Sequence, residues 1–153
     1  MGVIEFELTR TVQAPVDDVF ARLADIEGYN RWMPKKGSML RRTRQTSPGP
    51  PGVGTTFLDE TSSGPAPGEI AEFEPPRTIV FHWWDKSNSG TLRLEGWPGY
   101  ALQPTADGAT LVRHHARLHT HGLYRLATPV LRRLAMKERS VTLTALAASF
   151  ESG

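Results

Sequence analysis

His114, Glu138 and Asp59 are the side chains whose type and setting could do acid–base chemistry. His114 lies in Thr110–Thr120, where Val112, His114, Ala116 and Leu118 alternate with Arg113, His115, Arg117 and His119. Alternation at period two marks a half-buried strand, and the apolar set must face inward. His114 is then the lone polar group on an apolar face. It is either a core histidine satisfied by a neighbour or an acid–base group of an interior cavity. Glu138 sits in the helical stretch Thr128–Phe150. At about 100° per residue, Arg133, Lys137, Ser140, Thr144 and Glu151 form a polar stripe. Leu131, Leu134, Ala135, Val141, Thr142, Ala145, Leu146 and Ser149 collect on the opposite face, with Glu138 in their middle. No Lys or Arg stands three or four residues away, so no helix-surface ion pair explains it. Either Glu138 meets an arginine from a strand or from the Tyr124-Arg125 turn, or it is a cavity carboxylate of raised pKa near His114. In Thr55–Ser62 one of Asp59 and Glu60 points inward, and parity with Val53, Thr55 and Phe57 favours Asp59. A polar floor of Asp59, His114 and Glu138 would suit enolising or dehydrating a carbonyl substrate.

Other chemistries find little support. Cysteine is absent, which removes disulfides and thiolates. His119-x-His121 places two imidazoles on one strand face with no third ligand visible nearby. Histidines in an outer ladder with Arg113 and Arg117 read as solvated, so no metal site is expected. No Gly-rich loop follows a strand and opens a helix, and no G-x-S-x-G elbow occurs, so no cofactor is expected. The net charge is only +2. The clusters Arg41, Arg42, Arg44 and Arg132, Arg133 read as solvated faces rather than a nucleic-acid surface. The start, MGVIEFELTR, does not read as a signal peptide, and no apolar run approaches a membrane span. A cytoplasmic location is therefore expected.

The elements that must position these residues follow from punctuation. The 153 residues, 39% of them hydrophobic, suffice for a single domain, 1–153, with a real core. Ile4–Gln13 reads as a strand. Pro15 occupies the first position of a helix whose inner face carries Val16, Val19, Phe20 and Leu23. Asp25–Met33 reads as a second short helix stopped by Pro34. Pro/Gly breaks at Ser47–Gly54, Ser63–Gly68, Glu74–Arg77, Asn88–Gly90 and Ala106–Gly108 then divide the chain into strands. These are Ser38–Thr46, Thr55–Ser62, Glu69–Phe73, Thr78–Trp84, Thr91–Gln103 and Thr110–Thr120. Thr128 as N-cap and Pro129 as first residue begin the closing helix, which runs to Phe150.

The order β-αα-β6-α, with AP-x-x-x-V-F near the start, then IEGYNRWMP, GVGTTF and FEPPRTIVF, resembles the START/Bet v 1-like superfamily. It is most similar to bacterial polyketide cyclase/dehydrase and lipid-transport-type proteins. The resemblance implies an α+β helix-grip fold, in which a curved antiparallel sheet of about seven strands wraps the C-terminal helix around a cavity. It also implies a hydrophobic or aromatic small-molecule ligand. Alignment with cyclase relatives turns Ile79, Phe81 and Trp83 inward, although the parity of Thr78–Trp84 alone leaves this open. It also makes Tyr29, Trp32 and Met33 a wall of the pocket mouth, where helical spacing alone would equally give core packing. Tyr100 and Leu102 share an inner strand face. Phe57, Ile70, Leu134 and Thr142 complete the expected ligand wall. The small residues Ala135, Thr142, Ala145 and Ser149 leave space beside the helix.

Three functions fit. The first is a small-molecule binding protein, and the second an aromatase/cyclase or dehydratase working on a polyketide-like substrate with cavity acid–base groups. The third is an interaction module with a vestigial cavity. The expected partner is a hydrophobic small molecule, with a homodimer left open and neither nucleic acid nor a membrane span expected.

Overall fold

Alternating strand sequences and hairpin punctuation produce a single antiparallel sheet, seen in a computed structural model that describes residues 1–151. In chain order the elements are β1 (Gly2–Val12), α1 (Val16–Ala24), α2 (Tyr29–Trp32), β2 (Leu40–Gln45), β3 (Thr56–Thr61), β4 (Gly64–Glu74), β5 (Thr78–Lys86), β6 (Leu92–Pro104), β7 (Thr110–Thr120), a 3-10 turn (Gly122–Ala127) and α3 (Thr128–Ala148). The strand order is β1-β7-β6-β5-β4-β3-β2. The first two strands thus occupy opposite edges, and α1 and α2 lie in the connection between them. The sheet curves around α3, which rests against β1 and β7. This is the helix-grip fold.

Several boundaries depart from the sequence reading. SGPAPG is not a break: only Ser62 and Ser63 turn, and β4 starts at Gly64. Pro65 and Pro67 are tolerated because they pair with Glu60 and Leu58 of β3 before β4 meets β5 at Gly68. Their missing N–H groups face the side that has no ladder. The second helix shrinks from Asp25–Met33 to Tyr29–Trp32, preceded by a turn held by Gly28 N–H donating to Asp25 Oδ1 (3.2 Å). Pro15 caps α1 in an extended conformation (ψ 152°) rather than entering it. Thr128 is the first residue of α3, not its cap, and its hydroxyl donates back to the Arg125 carbonyl (2.7 Å). The helix ends at Ala148 rather than Phe150.

The two halves of α3 meet different surroundings. In the C-terminal half Thr142, Leu143, Leu146 and Ala147 are buried. Leu143, Leu146 and Ala147 lie in one cluster with Val19, Phe20 and Leu23 of α1 and Ile70, Ile79, Leu102 and Val112 of the sheet. Arg22 fastens this end: its guanidinium donates to Ser149 O and Oγ (both 2.9 Å) and covers the Phe150 ring at 3.7 Å. The N-terminal half has no fully buried residue. There a smaller cluster of Ile4, Phe6, Ala116 and Leu118 meets Leu131 and Ala135, and beside it lies unfilled space.

Candidate ligand cavity

That space is a cavity of about 400 Å³ between the sheet and the first half of α3. Phe57, Phe81, Trp83 and Tyr100 form its sheet wall, Tyr29 and Met33 its flank, and Leu131, Leu134, Ala135 and Thr142 its helix wall. The aromatic wall is self-supporting, with Phe81 edge-on to Phe57 (5.8 Å) and to Tyr29 (6.4 Å), the preferred aromatic geometry. Trp83 lies flat against the sheet because Gly96 faces it across the ladder. A Cβ at Gly96 would come within 2.7 Å of the indole. Strand parity is thus as expected for Phe57, Asp59, Phe81, Trp83 and Tyr100. Leu134, 48% exposed, stands at the rim rather than deep in the wall.

Three expected site residues lie off the lining. Trp32 packs on Tyr29 (4.5 Å) and faces an open groove between α1–α2 and the outer side of α3. That groove is larger, but it is shallow, solvent-washed and bordered by Asp18, Arg22, Asp25 and Arg31, so it offers a ligand little desolvation. Ile70 is fully buried in the main cluster. His114 is also fully buried, with Nδ1–H donating to the Gly99 carbonyl (2.8 Å) and its ring stacked on Tyr100 at 4.1 Å. Burial, helped by the Arg139 charge, lowers its pKa to about 3, so it stays neutral. Cross-strand pairing explains the stack: Tyr100 stands directly opposite His114.

Asp59 and Glu138 do reach the cavity, in different surroundings. Glu138 meets neither a strand arginine nor the Tyr124-Arg125 turn. Its carboxylate accepts from Ser38 Oγ (2.7 Å) and from the Met39 N–H (2.8 Å), tying the approach to β2 onto α3. Its nearest cation is its own neighbour, Arg139, at 3.9 Å. Asp59 stands opposite Thr43, whose hydroxyl falls short of a full hydrogen bond but is close enough to lower the Asp59 pKa. Burial outweighs this and the pull of Arg139, and with Glu138 adding to it the Asp59 pKa rises from 3.8 to about 6. The expected trio of Asp59, His114 and Glu138 is therefore not assembled at the cavity.

Arg139 is the functional candidate that the sequence reading missed. It lines the cavity beside Glu138, and its charge acts on Asp59, Tyr29, Tyr100 and His114. The available signal was its helix position, four residues after Ala135 and three before Thr142, both of which line the cavity. Among the described residues its charge contact is the 3.9 Å approach to Glu138. Other polar groups are already engaged: the Tyr29 hydroxyl donates to the Leu23 carbonyl (2.8 Å) and that of Thr142 to the Glu138 carbonyl (2.9 Å). Arg139, Asp59 and the Tyr100 hydroxyl retain capacity. Burial raises the Tyr100 pKa, so this phenol is a hydrogen-bond donor at neutral pH.

On the opposite face of the sheet the histidine ladder is more organised than its sequence implied. The third donor not visible beside His119-x-His121 is Glu95, which β6 places directly across from His119.

The family of polyketide cyclase/dehydrase and lipid-transport proteins matches residues 3–151. The chain belongs to this family. No curated protein matches it by sequence. Among solved structures, it resembles the Zhui aromatase/cyclase of a Streptomyces species (15% identity, TM-score 0.79), covering 98% of this chain and 94% of that one. A START superfamily protein from Mycobacterium smegmatis (16%, TM-score 0.68) is covered 98% each way. Ara h 8.0201 (18%, TM-score 0.71) is similar over 99% of this chain and all of its own. At these identities the likeness establishes the shared helix-grip fold. The family and fold are consistent with hydrophobic ligand binding or with polyketide cyclase activity. No helix among the described residues is long and apolar enough to cross a membrane.

Proposed function

We propose that the chain binds a hydrophobic, aromatic small molecule carrying an anionic or carbonyl oxygen, held between the aromatic sheet wall and α3. The observation that carries this reading is an apolar-walled cavity of about 400 Å³ in which Arg139, Asp59 and Tyr100 keep unspent polar capacity. That volume falls at the small end of the roughly 300–1,000 Å³ of ligand sites. Desolvation of the ligand supplies affinity, and the guanidinium and phenol select an oxygen and fix its orientation. Titration with 1-anilinonaphthalene-8-sulfonate, an aromatic anion, tests this. Saturable fluorescence enhancement is expected, weakened about tenfold by Arg139→Met, the loss of one charge-assisted contact. Absence of saturation, together with native mass spectra showing no bound small molecule, would overturn it.

A second reading, an aromatase/cyclase, is favoured by the Asp59 pKa of about 6. A carboxylate poised there can remove a proton from carbon next to a carbonyl. The electron pair moves onto the carbonyl oxygen, where Tyr100 and Arg139 stabilise the enolate. The enolate carbon then bonds to a second carbonyl carbon of the same chain and closes the ring; that carbonyl's oxygen takes up the proton held by Asp59, and its loss as water with an α-hydrogen leaves a ring double bond. Turnover of a short poly-β-keto thioester, abolished in Asp59→Asn, would support this reading; equal product with and without protein would exclude it.

A further inference from the structure

We propose that Glu95, His119 and His121 hold a divalent transition-metal ion of the zinc class on the convex face of the sheet, away from the ligand cavity. Adjacent antiparallel strands supply the donors: Glu95 pairs with His119 across the β6–β7 ladder, and His121 follows two residues on. One donor atom from each lies within 4.8 Å of the others. Glu95 Oε2 stands 3.2 Å from His121 Nε2 and 4.0 Å from His119 Nδ1. Tetrahedral zinc with bonds of about 2.0–2.1 Å needs donors about 3.3 Å apart, so small side-chain rotations close the site. Two imidazoles and a carboxylate suit zinc and its neighbours rather than calcium or magnesium, and three protein ligands leave a position for water.

Two further observations separate this cluster from a solvated ladder. His119 commits neither ring nitrogen to the protein: Nε2 is buried without a partner, and Nδ1 is beyond hydrogen-bond range of Glu95. A supporting layer is also already in place. His82 Nε2 meets the other Glu95 oxygen, Oε1, at 2.9 Å, leaving Oε2 to face the two histidines. Trp97 lies between the imidazoles, stacked on His82 (4.5 Å, 1°) and edge-on to His119 (4.7 Å). Such outer partners orient first ligands and raise their affinity.

The test is calorimetric titration of the untagged, chelator-stripped full chain with zinc chloride. One equivalent should bind, about tenfold or more weakly in His119→Gln and in His121→Gln, and unchanged in His115→Gln, which alters an outer histidine beyond the cluster. A second measurement needs no histidine variant: cupric ion should quench tryptophan fluorescence saturably, and Trp97→Phe should remove most of the quenching. No saturable zinc binding, or binding equally tight in both glutamine variants, would overturn the assignment.

Discussion

The two faces of β7 carry histidines in opposite circumstances. Inside, His114 is wholly buried, donates to Gly99 and lies flat on Tyr100, so its ring acts as core packing. Outside, His119 and His121 are partly exposed and gather at one carboxylate. Full burial removes His114 from proton chemistry and commits its Nδ1 to Gly99, whereas neither ring nitrogen of His119 has a hydrogen-bond partner in the protein. The chemistry of this sheet is divided accordingly. The concave face offers a desolvating cavity with a few directing groups, and the convex face a compact donor cluster.

The sharpest way to break this contrast is to exchange roles. His114→Ala should cost about 2–4 kcal/mol, for the lost volume and the orphaned Gly99 carbonyl, while leaving zinc binding intact. His121→Gln should move stability by no more than about 0.5 kcal/mol. Urea denaturation of both variants checks this. A small loss at His114 would end its description as core.

Asp59 gives the next effect. Its pKa is raised in the fold from 3.8 to about 6, so the folded chain holds that proton more tightly than the unfolded one. The stabilisation is fully present below about pH 4 and disappears as pH rises through about 6. Asp59→Asn should therefore be more stable than the parent by up to about 3 kcal/mol near pH 7.5, with no such gain near pH 4. Unfolding curves at both values decide it, and a gain independent of pH would refute the assignment.

Gly96→Ala sharpens the concave side. The added methyl group pushes Trp83 off the sheet into the cavity, and probe affinity should fall about five- to tenfold. The smallest effect belongs to Glu95→Gln, which loses its charge to His82 and His121 at about 1 kcal/mol or less of stability. A much larger loss would make the cluster a structural clasp instead.

Strand alternation carried most of what was legible. It favours the inward side for Phe57 and Asp59 and groups Tyr100 with Leu102, and all of Phe57, Asp59 and Tyr100 line the cavity. The order of elements was equally readable, since Pro/Gly punctuation acts locally. What was not legible depended on contacts distant in sequence. The partners of Glu138, Ser38 and Met39, lie about a hundred residues away, and no helix-spacing rule reaches them. The Glu95–His119 pairing needed the β6–β7 register, which hairpin punctuation leaves loose by a residue or two. Arg139 is the residue next to Glu138, and the three- and four-residue spacing of helix-surface pairs does not point to an adjacent position. Trp32 lies on the Tyr29 ring and borders the outer groove, a side that helical spacing alone does not distinguish from the cavity side.

The anchoring of α3 by Arg22 has a mechanical consequence. A beam held more firmly at one end deflects most at the other; the firm end is Arg22 against Ser149 and Phe150, while the first half, held at Thr128 by the Thr120 hydroxyl (3.0 Å) and farther on by Glu138, roofs the hollow. Amide exchange should accordingly slow along the helix from its Thr128 end toward Ala147. The doorway for a guest molecule would then be the end where the roof bends, beside the 3-10 turn, and a guest that braces the beam should slow exchange there first.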